Sequence, residues 1–195
     1  TNYPSVTSVL SMRKSEGLQK WRKSIGEDVA NWEMRRCANR GKSLHTLVEQ
    51  YMKNETPSIR DVLPLGLFKL MKPYLDQINN IRLVEEIMYS KNLTIAGQVD
   101  CVAEYNGKLS VIDFKTSTKK RDANYNYANF LQCSAYVKMY EELYPNHKIE
   151  QTVILATCED GFVQEWIHTE DKIKEHQELF YKHTKDFFDR NNINS

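Results

Sequence analysis

Two aspartates, Asp100 and Asp113, lie on two β-type segments that the dipeptide Asn106-Gly107 joins. Asn-Gly between apolar and β-branched residues is the strongest short-range signal of a tight hairpin, because both turn positions of a type I′ turn need positive φ. Counting back from this turn, Asp100 faces Asp113 across the two strands. Lys115 follows Asp113 by two residues and therefore projects from the same side of the sheet.

Facing carboxylates repel each other, and directly opposed like charges destabilise a sheet. Cβ atoms at facing positions are about 4.5–5.5 Å apart, which is close enough for both carboxylates to share one cation. Mg²⁺ is usually held by one or two carboxylates together with substrate phosphates, and such a metal polarises a phosphate and lowers the pKa of a water. Lys115 would assist the attacking water or stabilise charge in the transition state. The pattern therefore predicts metal-dependent hydrolysis of a phosphodiester.

Each of these residues also has an ordinary structural interpretation. Asp-x-Lys at a strand end is most often a solvated surface pair, and the opposition of Asp100 and Asp113 is what favours the metal. His45 follows the apolar Leu44, and a histidine in such a place is more often a structural residue than a ligand. Glu85 and Glu86 begin a strand, where acidic residues are typical of a solvated edge, so we leave both outside the predicted site.

The length and the net charge of the chain predict a single domain without a general affinity for polyanions. It has 195 residues, 27 Lys and Arg, 26 Asp and Glu and a formal net charge of +1, so a nucleic-acid partner must be held by local patches. Its length permits a sufficient apolar core. No apolar run reaches the roughly 20 residues of a membrane span.

The cysteines are far apart and form no Cys-x-x-Cys pair, which argues against a zinc ribbon or an iron–sulfur cluster. They are Cys37, Cys101, Cys133 and Cys158. This spacing predicts free thiols in a reducing compartment, and we expect a soluble cytoplasmic protein. Because the first residue is Thr1 and not Met, the mitochondrial matrix is the alternative location if a targeting segment has been removed.

Periodicity and turn residues predict an α/β protein in which helices cover both faces of a mixed sheet, because both faces of the hairpin carry apolar residues. A helical part precedes the sheet, and one helix follows it. The predicted strands are 81–90, 94–105, 108–115, 151–157 and 161–168. The predicted helices are 9–13, 18–25, 28–52 with an interruption at Gly41, 65–79 with a kink or break before Pro73, 127–144 and 170–191.

The segments Gly97-Gln98-Val99-Asp100 and Ile112-Asp113-Phe114-Lys115 resemble the core of PD-(D/E)XK nucleases in their RecB-like form. The proline of the family name is absent, as is ordinary in this branch, where Gly-x-x-Asp supplies the first acid. The resemblance implies a restriction-endonuclease-like α/β/α core. It also implies a divalent metal, Mg²⁺ or Mn²⁺, held by Asp100, Asp113 and the backbone carbonyl of Phe114.

Two further segments match this family. Arg40-Gly41-Lys42-Ser43-Leu44-His45 resembles the first helix of RecB-like nucleases, in which the histidine coordinates the metal in several subfamilies, so His45 joins the predicted catalytic and metal-binding residues. Gln132 and Tyr136 resemble a Gln-x-x-x-Tyr motif that supports the site and contacts DNA. Spacing alone would leave this pair as ordinary core or surface residues.

Most of the chain resembles in particular the group formed by the mitochondrial genome maintenance exonuclease and its phage and bacterial relatives. That resemblance implies an exonuclease that hydrolyses single-stranded DNA from free ends. It also implies that the DNA strand is threaded through a helical arch and that the enzyme acts in DNA replication, repair or recombination. We expect one nuclease domain over 1–195. Its residues 1–80 are mainly helical and able to form the arch, 81–168 form the sheet with the site, and 169–195 form the closing helix.

A basic, aromatic segment follows the catalytic strand and predicts contacts to the DNA, because single strands are bound by basic grooves and stacking rings. An ordinary solvated loop is the alternative. The predicted contacts are Lys119, Arg121, Tyr125 and Tyr127, with Lys120 in the same run. Two other functions remain open: a catalytically silent DNA-binding subunit of nuclease fold, and a structure-selective endonuclease. A monomer is the simplest expectation, and the sequence identifies no protein partner.

Overall fold

The computed structural model describes residues 3–11 and 15–191. Six helices and five strands are present in this part of the chain. The helices are α1 Val6–Ser11, α2 Ser15–Ile25, α3 Glu27–Met52, α4 Val62–Leu75, α5 Ala123–Leu143 and α6 Glu170–Asn191. The strands are β1 Ile78–Ser90, β2 Ile95–Tyr105, β3 Lys108–Ser117, β4 Gln151–Cys158 and β5 Val163–Thr169.

The five strands form one mixed sheet in the order β1-β2-β3-β4-β5. Neighbouring strands are antiparallel except β3 and β4, which are parallel and connected through α5. A parallel connection needs such a crossover, whereas the antiparallel neighbours are joined by short turns. The predicted α/β fold with a helical N-terminal part is confirmed.

The predicted hairpin has the expected register. Tyr105 pairs with Lys108 and Cys101 pairs with Ile112, and the turn between them has positive φ at Asn106 (51°) and Gly107 (79°). These are the torsion angles that a type I′ turn requires, and they explain why Asn-Gly is found there.

Helices cover both faces of the sheet, so its strands are buried from two sides. On one face α1, α5 and α6 enclose a core that includes Val99, Val111 and Phe180. On the other face α3 and α4 enclose a second core that includes Leu44 and Phe114. Successive residues of β3 point alternately into these two cores, as a strand period of two requires.

Several predicted element boundaries were wrong. Helix α2 begins at Ser15, α4 covers Val62–Leu75 and not 65–79, and β1 begins at Ile78. Helix α3 runs through Gly41 without interruption, and α4 continues through Pro73 without a break, although the proline removes one backbone hydrogen bond. Helix α1 begins at Val6, and the end of the predicted helix 9–13 lies outside the described residues. Helix α5 begins at Ala123, because Asp122 accepts a hydrogen bond from the backbone N of Tyr125 and caps the helix earlier than expected.

All four cysteines are free, as predicted. None of the helices in the described ranges is both long and apolar enough to cross a membrane.

Candidate active site

Helix α3 brings His45 to the sheet. Leu44 and Val48 are one turn apart on its buried face, and this apolar stripe fixes the helix against β3. The half-buried His45 follows Leu44 and faces the strands. Its Nε2 lies 2.8 Å from the backbone O of Phe114, so the histidine contacts the strand that carries Asp113 and Lys115.

Strand β1 contributes an acid that the sequence analysis left out. Val84 pairs with Cys101 and Glu86 with Val99, which places Glu85 opposite Asp100. Glu85 has a φ of 52°, an uncommon conformation for a residue with a side chain, which marks a local irregularity of the strand. Gln98 holds it there, since its Nε2 donates at 3.0 Å to both the backbone O and Oε2 of Glu85.

His45, Glu85 and Asp100 form a group that can hold a metal ion. The Nδ1 of His45 is 3.1 Å from Glu85 Oε1 and 3.6 Å from Asp100 Oδ1, and one ligand atom from each of the three residues lies within 4.8 Å of the others. Helix α3 and strands β1 and β2 each provide one of the three side chains. The expectation that Glu85 belongs to a solvated edge was wrong, because its side chain turns toward the histidine.

The two aspartates adjoin each other at the point where the β2–β3 ladder ends. Regular pairing stops at Cys101 and Ile112. One position further, Asp100 Oδ2 accepts a hydrogen bond of 2.8 Å from the backbone N of Phe114. The side chain of Asp100 thus replaces a backbone acceptor, and its other oxygen stays directed toward His45.

Asp113 is almost fully buried and is paired with Lys115. Lys115 Nζ lies 2.9 Å from Oδ1, with which it forms a hydrogen bond, and 2.8 Å from Oδ2. The contact to Oδ2 is an ion contact only, since that oxygen has no hydrogen bond of suitable geometry. A buried carboxylate oxygen without a hydrogen bond is unusual, and the ammonium of Lys115 is the cation that lies against it. The role of Asp113 as a metal ligand stays a prediction.

Burial and mutual charge shift the protonation of this group. Burial and the negative charge of Asp113 raise the pKa of Asp100 to about 7. Burial opposes the charged form of His45, but the hydrogen bond to Glu85 and the charges of both aspartates raise its pKa to about 9. Burial likewise opposes the charge of Lys115, yet the two aspartates hold its pKa above the ordinary value. The carboxylates of the site therefore outnumber its cations, and His45 and Asp100 hold their protons to a higher pH than usual.

The predicted supporting motif lies behind β2. Gln132 Nε2 donates to the hydroxyl of Tyr136 at 3.1 Å, and Tyr136 packs against Gly97. A Cβ placed on Gly97 would lie 2.7 Å from Tyr136 Cε1, so only glycine admits this approach. Tyr136 therefore supports the backbone of β2 three residues before Asp100, and its exposed fraction of only 2% makes it a core residue.

The predicted DNA contacts occupy the loop after β3 and the first turns of α5. Lys119 is exposed. The guanidinium of Arg121 lies 4.3 Å from the ring centre of the exposed Tyr125. Tyr127 is half-buried and packs against the core shared by α5 and α6, so of the two tyrosines Tyr125 is the one presented to solvent.

Arg40 is a second residue of the site region to which the sequence analysis gave no role. It is buried, and it donates to Thr116 Oγ1 at 3.1 Å and to Thr118 Oγ1 at 3.4 Å. It also forms an ion pair with Glu159 at the end of β4. Arg40 therefore fastens helix α3 to the carboxyl ends of β3 and β4. Its place in the Arg40-Gly41-Lys42 segment was the available signal.

Comparison with known proteins identifies relatives of this chain. It is 31% identical over 171 residues to mitochondrial genome maintenance exonuclease 1 of Homo sapiens and 29% identical over 170 residues to that of Mus musculus. Each match covers 81% of this chain and 50% of the relative, so the chain spans about half the length of the curated relatives that it matches.

A solved structure and a family description agree with the architecture. A putative exonuclease from Eubacterium rectale superposes with a TM-score of 0.55 at 8% identity, covering 80% of this chain and 69% of the other. At this identity the likeness concerns the fold alone. The sequence description of the PD-(D/E)XK nuclease superfamily matches residues 79–191, the range from β1 to the end of α6. The chain belongs to the PD-(D/E)XK nuclease superfamily.

Proposed function

We propose that this protein is a metal-dependent deoxyribonuclease that hydrolyses single-stranded DNA from its free ends. The observation that supports the proposal best is the convergence of His45, Glu85 and Asp100 beside the buried Asp113–Lys115 pair. The curated relatives are named exonucleases, which favours an action at strand ends. Such an enzyme would act in DNA replication, repair or recombination.

The donor set of the site fits a divalent cation. Two carboxylates, one imidazole and the buried Asp113 Oδ2 without a hydrogen bond supply oxygen and nitrogen ligands. Carboxylate oxygens suit Mg²⁺ and Mn²⁺, and imidazole favours the more readily dehydrated transition metals. His45, Glu85, Asp100 and Asp113 would hold the ion. When bound, a divalent metal polarises the scissile phosphate and lowers the pKa of a water.

The remaining chemistry belongs to the side chains of the chain itself. Lys115 carries a positive charge next to both aspartates and is placed to stabilise the additional negative charge of the transition state. The Phe114 carbonyl, which the family resemblance implies as a metal ligand, accepts the hydrogen bond from His45 Nε2. We infer that this contact orients the imidazole so that Nδ1 faces Glu85 and Asp100.

We further propose that the described residues act as one nuclease domain. The sheet from β1 to β5 holds the site, α6 closes one face, and the helices before β1 contribute His45 and the surface along which a strand reaches it. The loop 119–122 and the start of α5 provide the first DNA contacts, with Lys119, Arg121, Tyr125 and Tyr127 as the residues concerned.

The test uses linear oligonucleotides labelled at either end, single-stranded or double-stranded, with the 5′ or the 3′ end blocked in turn. We expect digestion of linear single strands in Mg²⁺ or Mn²⁺ and none in EDTA. A circular single strand is the control for attack at ends. Equal cleavage of circular and linear strands would show an endonuclease instead. Binding without any metal-dependent cleavage would show a catalytically silent subunit.

A further inference from the structure

Three large aromatic side chains are exposed on segments that adjoin the carboxyl ends of β3 and β4, and a group of exposed apolar residues, unlike a single one, is typical of an interaction site. Their exposed fractions are 56% for Trp32, 61% for Tyr125 and 50% for Phe162. They come from three elements that are distant in sequence: the first half of α3, the first turn of α5 and the turn between β4 and β5.

Each of these rings has a cation over it within the distance of a cation–π contact. The closest is Lys120, whose Nζ lies 3.7 Å from the ring centre of Phe162. The guanidinium carbons of the other two lie at 4.3 Å and 5.9 Å from their rings. The ring–cation pairs are Phe162 with Lys120, Tyr125 with Arg121, and Trp32 with Arg36.

Two of the pairs are fixed to each other through the backbone. The loop 118–122 is tied to β5 by Gln164, whose side chain accepts from the N of Arg121 and donates to its O, both at 2.8 Å. The backbone N of Lys120 donates to Asp160 Oδ2 at 3.2 Å in the β4–β5 turn. A stacking surface made in this way is ordered before a ligand arrives, which lowers the cost of binding.

The third pair joins the same turn from the side of α3. Arg36, which lies over Trp32, forms an ion pair of 2.8 Å with Glu159, the residue that follows β4. Arg40, one turn further along α3, forms an ion pair with the same carboxylate. All three ring–cation pairs are therefore connected to the β4–β5 turn or to the start of β5.

This surface adjoins the candidate active site. Arg121 Nε donates to Ser117 Oγ at 3.2 Å, and Ser117 follows Lys115 by two residues on β3, a distance of about 6.6 Å along a strand. On the α3 side, Arg40 contacts Thr116 and Thr118. Arg121 and Arg40 thus connect the ring–cation pairs to the end of β3, the strand that carries Asp113 and Lys115.

The nearby acidic side chains are already engaged. Glu33 and Glu159 pair with Arg36, Asp160 accepts from the backbone of Lys120, and Asp122 caps α5. The exposed cations Lys119 and Lys120 form no salt bridge with any residue of the described ranges. Lys119 and Lys120 thus offer positive charge that no ion pair compensates, whereas Arg36 and Arg40 are paired with carboxylates.

We propose that these three ring–cation pairs form a track that binds single-stranded nucleic acid next to the active site, with bases stacked on the rings and phosphates beside the cations. The proposal rests on the proposed nuclease function and identifies the surface that selects single strands. A base gives its face to a protein ring only when it is unstacked, which a single strand allows and an intact duplex does not.

The test measures binding of a fluorescent oligothymidylate by anisotropy in EDTA, so that no cleavage is needed. We expect Phe162→Leu, Trp32→Leu and Tyr125→Leu each to weaken binding about 30-fold, the middle of the range for loss of one stacked base. Leucine retains the apolar bulk and removes the ring. Lys120→Gln should weaken binding at low salt and have little effect at high salt, whereas the ring variants should remain weaker in both.

Tyr181→Leu is the matched control. Tyr181 is 57% exposed on α6 and lines a cavity with Lys138, which lies about 20 Å along α5 from Tyr125. Its replacement should leave the affinity unchanged. The proposal fails if the three ring variants bind as Tyr181→Leu does, or if they lose affinity for duplex and single strands equally. A protein that binds the oligonucleotide but never cleaves it would instead disprove only the nuclease function.

Discussion

At the scale of single residues, the site concentrates charges that a protein core normally avoids. Asp113 is 1% exposed and Asp100 is 9% exposed, and the burial of a carboxylate costs several kcal/mol unless partners compensate it. Lys115 compensates Asp113, and His45 compensates Asp100 and Glu85. A stable core does not require such an arrangement, so its retention is explained best by chemistry that needs the charges.

Replacement of Lys115 by alanine tests the catalytic part of this interpretation. We expect Lys115→Ala to reduce the cleavage rate at least about 100-fold, the usual loss when one transition-state charge partner is removed. Binding of single-stranded DNA in EDTA should stay close to that of the wild type. The measurement is single-turnover digestion of a labelled strand, with circular dichroism to verify folding. Cleavage at the wild-type rate would remove Lys115 from the mechanism.

Glu85 and Glu86 are neighbours in sequence and form a matched pair of variants. Glu85→Gln removes a charge beside His45 and Asp100, and we expect the affinity for Mn²⁺ to fall about 10–100-fold. Glu86 is exposed and does not belong to the metal-binding group formed within the described ranges, so Glu86→Gln should bind Mn²⁺ as the wild type does. Calorimetric titration measures both. Equal behaviour of the two variants would contradict the assignment of Glu85.

At the scale of secondary-structure elements, the position of Asp100 depends on how closely β2 approaches α5. Gly97 in β2 lies against the ring of Tyr136 in α5, with no room for a Cβ. Any side chain at this position must displace either the strand or the helix. Since Asp100 follows three residues later, a displaced strand would also move the carboxylate away from His45.

Gly97→Ala tests this dependence. We expect the free energy of unfolding to fall by about 1–3 kcal/mol, the usual cost of overpacking, with a loss of cleavage at temperatures where the protein remains folded. Gly66→Ala is the control, because Gly66 lies in helix α4 with nothing within 4 Å of an added Cβ and alanine favours a helix. Denaturant unfolding measures both variants. An unchanged free energy of unfolding for Gly97→Ala would show that the structure accommodates the added Cβ without cost, and it would contradict the prediction.

At the scale of the whole molecule, the metal-binding group connects three elements that pack from different directions. Helix α3 provides His45, β1 provides Glu85 and β2 provides Asp100. A ligand that binds only the folded chain stabilises it by mass action. The protein should therefore be more stable with a divalent metal than in EDTA.

This stabilisation should depend on pH. Without metal, Asp100 and His45 bind protons more tightly in the folded chain than in the unfolded chain, because both pKa values are raised, to about 7 and about 9. Their contribution to stability is complete at low pH and is lost as the pH rises from about 4 to about 9. Metal binding needs the deprotonated groups, so the metal should compensate most at the upper end of this range.

We expect Mn²⁺ at about 100 times its Kd to raise the Tm by about 5–10 °C at pH 8 and by clearly less at pH 5.5. Differential scanning fluorimetry in Mn²⁺ and in EDTA measures this difference. Asp100→Asn is the control, since it removes both a ligand and a titrating group and should reduce both the increase in Tm and its pH dependence, of which the part from His45 remains. An equal increase in Tm at both pH values would contradict the linkage.

Most of the fold could be predicted from the sequence, because it follows from local patterns. The five strands, the helices that cover the sheet and the hairpin register all depend on alternation, helical spacing and one Asn-Gly turn. Tertiary packing decided two of the wrong predictions, whereas the start of α5 follows from a local signal, the cap at Asp122. Gly41 stays helical because α3 is held on both sides of it by buried residues, and α4 continues through Pro73 between the buried Met71 and Leu75.

The sequence by itself determined that Asp100, Asp113 and Lys115 converge, since a tight turn sets which residues of its own two strands are neighbours. Only the tertiary structure decided which further groups join them. Glu85 turns toward His45 through a backbone conformation that its residue type does not favour, and Arg36 of α3 forms an ion pair with Glu159, 123 residues further along the chain. Contacts of that kind depend on the packing of whole elements, which local spacing does not encode.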